Sequence, residues 1–80
     1  MSRKIKLIWN FSGPDAEGTA KHHEIHIREF LDKSNFSELI TGVDYQTEIH
    51  WSAYLIVDEK DMIFFRDKLK PHKGEIAEEE

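Results

Sequence analysis

The five histidines are the residues of this 80-residue chain whose types and spacing most directly suggest chemistry. A neutral imidazole ring binds divalent metal ions, and its ordinary pKa of about 6.5 also suits it to proton transfer near neutral pH. Two of them, His22 and His26, are four residues apart, so on a helix their rings share one face. This is the spacing of many two-histidine metal sites.

A divalent ion on His22 and His26 would need further ligands, and His50, His72 or a carboxylate such as Glu29 could supply them. We therefore carry the hypothesis of a divalent-metal site, with the following ligands: His22, His26, His50 and His72. The metalloprotease motif is absent, because the position after His22 is a second histidine rather than glutamate, and the chain has no cysteine. The alternative is that His22 and His26 are solvated and that His23 is a packed, hydrogen-bonded residue within the apolar side of its helix.

A second hypothesis makes one histidine a general acid or base over a small-molecule pocket. Four aromatic residues would line this pocket between the first helix and the sheet: Trp9, Phe11, Tyr45 and Trp51. The same side chains equally suit a filled core. No serine or threonine has an identifiable activating base, and the Gly13 and Gly18 pair lacks the Lys-Ser or Lys-Thr ending of a phosphate loop.

Charge and composition narrow the classes of partner. The formal net charge is −5, and four of the 16 acidic residues are Glu75, Glu78, Glu79 and Glu80. Residues 1–74 are therefore nearly neutral, and their lysines and arginines alternate with acids, so we expect no nucleic-acid partner. The apolar stretch after the first residues is too short and too mixed for a membrane segment or signal peptide. With no cysteine for disulfides, a cytoplasmic protein is the natural expectation.

The elements that must position these residues follow from hydrophobic periodicity. Ile5, Leu7, Trp9 and Phe11 alternate with more polar residues, which predicts a first strand that ends at residues 12–15. A helical stripe then predicts a first helix from Ala16 to about Lys33, and Gly18 could delay its start to Thr19. Ile25 falls opposite the stripe, and a loop follows in which Phe36, Leu39 and Ile40 are expected to tuck under the sheet.

The alternation from Val43 to Asp58 is too long for one typical strand, so it predicts a hairpin. We place its turn near residues 50–52, although no glycine, Asn-Gly or proline marks it. A rival register places the turn at residues 41–44, and the sequence leaves both open.

The remaining chain predicts a second helix and a short last strand. Asp58 could cap the helix, whose stripe is Met62, Phe65 and Leu69, and Pro71 ends it. Residues 73–77 could form an edge strand. We expect one domain over residues 1–74 and an acidic tail over residues 75–80.

The element order β, α, β, β, α, β predicts an α+β fold of the ferredoxin-like type: a four-stranded antiparallel sheet with two helices on one face. The other face would then be open, and it would carry Ile8, Tyr54 and Ile56. Because a chain this short buries only about 60% of its unfolded surface, a second copy covering this face would add to its stability. We therefore expect a homodimer.

Short strings of the sequence carry a resemblance to other proteins, among them Gly13-Pro14-Asp15-Ala16-Glu17, His22-His23-Glu24-Ile25-His26 and Leu69-Lys70-Pro71-His72. They look like those of short uncharacterised bacterial proteins. As an element order, the whole chain resembles the dimeric α+β barrel superfamily, which includes small monooxygenases and lactone isomerases. The resemblance implies a fold and a dimer, and it assigns no catalytic residue. We expect first a small dimeric binding or interaction protein rather than an enzyme, then a histidine metal site, and third a small-molecule enzyme with a histidine acid or base.

Overall fold

The structure is a computed structural model that describes residues 3–77. It is an α+β fold with a four-stranded antiparallel sheet in the order β2-β3-β1-β4 and two α-helices. In chain order the elements are β1 (Lys4–Ser12), α1 (Ala16–Lys33), β2 (Ile40–Thr47), β3 (His50–Asp58), a 3₁₀ turn (Glu59–Asp61), α2 (Met62–Leu69) and β4 (Lys73–Ala77). Within residues 3–77, neither helix is long and apolar enough to cross a membrane.

One face of the sheet and both helices form the hydrophobic core. The predicted alternation of β1 is confirmed, and it places Ile5, Leu7 and Trp9 opposite Val57, Leu55 and Ala53 of β3. These six side chains are buried together with Ile27 and Leu31 of α1 and Phe65 of α2. Both helices therefore cover the same face of the sheet, and no helix covers the opposite face.

The first helix matches its predicted bounds. It begins at Ala16, so Gly18 does not delay the start to Thr19. Ala16 and Ala20 are buried where the helix approaches the sheet, and Ile25 is 51% exposed on the far side, as expected. The periodicity alone was sufficient here because a stripe about 100° wide leaves one possible buried face.

The predicted hairpin is present, but its turn lies at Glu48 and Ile49 rather than at residues 50–52 or 41–44. A β-bulge between Tyr45 and Thr47 shifts the register, so that Tyr45 pairs with Trp51 while Thr47 pairs with His50. The backbone N–H of Gly13 donates to the Ile49 carbonyl at 2.8 Å, which ties the turn to the end of β1.

Asp58 does not cap the second helix. Its side chain makes no cap hydrogen bond. Its carboxylate instead accepts a hydrogen bond from Lys4 Nζ at 2.6 Å, so the residue links β3 to β1. The apolar stripe of α2 is confirmed: Phe65 is buried, and Met62 and Leu69 pack against the core.

α2 ends at Leu69, ahead of Pro71 as predicted, through a residue in the left-handed region: Lys70 has φ 54° and ψ 59°. A side chain with a Cβ is strained in this conformation and glycine is not. We expect Lys70→Gly to raise the free energy of unfolding by about 0.5–1 kcal/mol. Lys68→Gly, at an exposed right-handed position in the last turn of the helix, should lower it by up to about 1 kcal/mol. Urea unfolding followed by circular dichroism measures both, and a loss of stability in Lys70→Gly would contradict the left-handed cap.

The last strand, β4, has its predicted bounds and pairs with β1. Glu75 lies within it, opposite Lys6, where the predicted edge strand and the predicted acidic tail overlap. The last three residues of the predicted tail, Glu78 to Glu80, lie outside the described residues.

Candidate functional site

His22 and His26 meet on the exposed side of α1. Their Nε2 atoms are 2.9 Å apart, and the rings lie edge to face with centroids 4.5 Å apart. The Nδ1 atom of His26 is 3.5 Å from Glu29 Oε1. The four-residue spacing therefore does bring two imidazole nitrogens to one point, with a carboxylate behind one of the rings.

His23 points the other way, toward the sheet. Its ring centroid is 5.0 Å from that of Trp9 and 5.5 Å from that of Phe11. Its Nε2 atom is buried and has no hydrogen-bond partner among the described residues. The pKa of His23 is lowered from its ordinary value, first by this burial and then by the charges of His26, His72 and His22. The ring therefore packs on the apolar side of the helix as expected, but the hydrogen bond expected for it is absent among the described residues.

His72 fixes the entry to β4. Its Nδ1 atom accepts a hydrogen bond from the backbone N–H of Asn10 at 2.8 Å, and its own backbone N–H donates to the Ile8 carbonyl at 2.9 Å. Since Nδ1 is the acceptor, the proton of the neutral ring is on Nε2. This histidine holds two strands together, a role that the sequence did not indicate.

The four predicted metal ligands do not form one group. His50 lies at the hairpin, with Nδ1 3.0 Å from Thr47 Oγ1. His72 is engaged with β1, so only His22 and His26 are paired. Within residues 3–77, no three or more His, Cys, Asp or Glu side chains are arranged to hold a metal ion.

The aromatic residues predicted to line a pocket lie side by side on the helix side of the sheet, where Trp51 pairs with both Phe11 and Tyr45. Trp9 is buried in the core, and its indole N–H donates to the Leu69 carbonyl at 3.0 Å. Tyr45 and Trp51 pack edge to face at the hairpin, with ring centroids 5.3 Å apart. The depression at the hairpin is open to solvent and is lined by six consecutive residues, Tyr45 to His50. It contains only Tyr45 of the four predicted lining residues, so these four do not enclose a common cavity there.

The open face of the sheet is formed by alternate residues of the four strands. The predicted contact residues Ile8, Tyr54 and Ile56 do lie on it, with Ile8 directly opposite Tyr54. Ile8, however, is only 6% exposed, so it is covered within the chain rather than left open. The Tyr54 ring lies over Gly42, where an added Cβ would come within 2.6 Å of Tyr54 Cζ. Lys6 Nζ is 4.5 Å from the centroid of the same ring.

Ile40 is the residue of the open face that the sequence analysis missed. It was expected to tuck under the sheet, yet it is the first residue of β2, pairs with Ile56 and is 59% exposed. The sequence signal was its position two residues before Gly42 and four before Asp44, because every second residue of a strand lies on the same face.

Charged side chains surround these apolar residues in pairs. Three lysines and three acids form ion pairs on the open face: Lys4 with Asp58 at 2.6 Å, Lys6 with Asp44 at 3.0 Å and Lys73 with Glu75 at 3.3 Å. The hydrogen bond from Lys4 is the largest cause that lowers the pKa of Asp58.

A polar chain crosses the same face. Gln46 Nε2 donates to Ser52 Oγ at 2.9 Å, and Ser52 Oγ donates to Asn10 Oδ1 at 2.8 Å. Ser52 is buried, and its hydroxyl both accepts and donates a hydrogen bond in this chain.

Comparison of the chain with protein-family models, with curated proteins and with solved structures finds no match.

Proposed function

We propose that the chain is a small binding or interaction protein with a ferredoxin-like fold, whose working unit is a homodimer formed through the open face of the sheet. The observation that carries the proposal is the pair of Ile40 and Ile56, which leaves one large apolar side chain 59% exposed on a face that helices do not cover. Ile56 and Tyr54 lie partly buried beside it on the same face, and adjoining apolar side chains of this kind are a common mark of an interaction surface.

A second copy is the occupant that the charge pattern favours. The three lysines and three acids of the open face cancel, so two such faces can approach without net repulsion. A twofold contact places the same patch on both partners, and a patch with both signs of charge can be complementary to itself. A strongly basic or acidic partner would gain nothing from this neutral surface.

The area of the open face indicates how tightly the proposed dimer should associate. Four strands spaced about 4.8 Å apart, each up to about 30 Å long, present a projected area of about 500 Å². Two copies would then bury on the order of 1,000 Å², at the low end for specific complexes. We therefore expect a reversible dimer with a dissociation constant of about 1–100 μM.

Replacing the exposed isoleucine tests the proposal with little risk to folding. Ile40→Glu would place a carboxylate on the contact surface and leave it desolvated without a partner, so we expect at least a tenfold weaker dimer. The measurement is sedimentation velocity over a concentration series from about 5 μM to 1 mM, chosen to span the dissociation constant expected for an interface of this size.

The matched control is Ile25→Glu, an equally drastic change at a residue that is 51% exposed on α1, away from the open face. It should dimerise like the unchanged chain. A monomer throughout the series, or equal weakening by both substitutions, would overturn the proposal.

A further inference from the structure

The two imidazole nitrogens that meet on α1 indicate a function separate from dimerisation. His22 Nε2 and His26 Nε2 are 2.9 Å apart, so one ring donates a hydrogen bond to the other. Both side chains are exposed, and a bound ion could reach this point from solvent. A metal ion that takes the place of the shared proton would be bound by both nitrogens at once.

The two nitrogens are close enough to bind one ion. Two nitrogens at about 2.05 Å from a metal lie about 2.9 Å apart when the angle at the metal is 90° and about 3.3 Å apart in a tetrahedron, so the observed 2.9 Å needs little rearrangement for either geometry. Imidazole nitrogen suits Cu²⁺, Ni²⁺ and Zn²⁺, and among these Cu²⁺ binds most tightly in the divalent series.

The surroundings of the pair support this assignment. Glu29 Oε1 lies 3.5 Å from Nδ1 of His26, on the side of the ring away from His22. Metal-binding histidines commonly direct their second ring nitrogen to a carboxylate, which fixes the ring and makes the ligating nitrogen more basic. His23, although adjacent in sequence, has its Nε2 enclosed on the other side of the helix and cannot join the site.

We propose that His22 and His26 form a two-nitrogen site for Cu²⁺, and more weakly for Ni²⁺, with the remaining positions open to water or an exogenous ligand. These two nitrogens are the only protein ligands of the proposed site, because no three or more His, Cys, Asp or Glu side chains among residues 3–77 are arranged to hold a metal ion. It lies on α1 and not on the open face of the sheet, so it is independent of the proposed dimer.

Titration with CuCl₂ and NiCl₂ at pH 7.5 tests the site. By isothermal titration calorimetry we expect one Cu²⁺ per chain, and by electron paramagnetic resonance a tetragonal spectrum with nitrogen couplings. His22→Ala and His26→Ala should each weaken binding at least tenfold, while His50→Ala, which removes a histidine outside the pair, should not. Cu²⁺ should also raise the melting temperature of the unchanged chain, because it binds the folded helix preferentially.

A spacing variant separates the pair from a general affinity of histidines for copper. The double substitution Lys21→His with His22→Ala keeps the number of histidines but changes the spacing to His26 from four residues to five, which takes the two rings off one helix face. We expect it to bind Cu²⁺ as weakly as His22→Ala. Binding equal to that of the unchanged chain, or a preference for Zn²⁺ over Cu²⁺, would overturn the proposal.

Discussion

Phe65→Ala is expected to cause a large loss of stability in this domain. Phe65 is 0% exposed and is the one buried residue of α2. Its ring packs edge to face against Phe36 at 5.0 Å, Phe64 at 5.1 Å and Phe30 at 6.2 Å between centroids. Truncating such a phenylalanine costs about 3–5 kcal/mol, from lost burial and from the cavity left behind. A domain of this length has a free energy of unfolding of about 4–12 kcal/mol.

Urea and thermal unfolding followed by circular dichroism measure this loss, with Phe65→Leu as a variant that should remain folded at an intermediate midpoint. The neighbouring Phe64 provides the control, because it is 41% exposed while contacting the same Phe30 and Phe36 rings. Phe64→Ala should lose about 1 kcal/mol or less. Equal losses at the two positions would contradict the packing of α2 through Phe65.

Elements with one buried face could be predicted from the sequence. The bounds of α1 and β4 match the structure, because a helical stripe or a short alternating run between turn residues has one consistent interpretation. The outcome for Asp58 was different. Its position before a helix is typical of a cap, but Lys4, 54 residues away in sequence, takes its carboxylate. A contact of that range cannot be inferred from local spacing.

The hairpin turn could not be located from the sequence for a structural reason. In a regular hairpin with two turn residues, the phase of the inward-facing positions changes between the strands. Here the bulge between Tyr45 and Thr47 changes it back, so that Val43, Tyr45, Trp51 and Ala53 all face the helices. The alternation therefore runs through the turn without interruption, and a pattern that does not break cannot mark a boundary.

The candidate site could be predicted only in part. The His22 and His26 contact follows from helical spacing, and His23 follows from the apolar stripe. The placement of His72 could not be predicted, because it depends on how β4 meets Asn10 of β1. The exposure of Ile40 likewise depends on where β2 begins. The start of this strand could not be located from the sequence, because the position of the hairpin turn was itself uncertain.

His23→Leu is expected to stabilise the domain and to reduce its sensitivity to acid. The imidazole Nε2 is buried against Trp9 and Phe11 without a hydrogen-bond partner among the described residues. Replacing an unsatisfied buried polar group by an apolar one of similar size removes its desolvation cost, so we expect a gain of about 1–2 kcal/mol at pH 8. His50→Leu, at an exposed position of the hairpin, is the control and should change stability by less than about 0.5 kcal/mol.

The pH dependence follows from the direction of the His23 pKa shift. Burial holds the pKa below its ordinary value, and the charged groups near the ring, His22 and His26 on α1 and His72 before β4, lower it further. The unfolded chain therefore takes up a proton at position 23 at a higher pH than the folded chain does. The contribution of His23 to the free energy of unfolding should not change with pH above about pH 7.5. It should lower the free energy of unfolding as the pH drops through about 6.5. Urea unfolding with a chelator present, from pH 8 to pH 5, should show this fall in the unchanged chain and a smaller one in His23→Leu. Parallel curves for the two proteins would mean that the buried ring of His23 is not the group responsible.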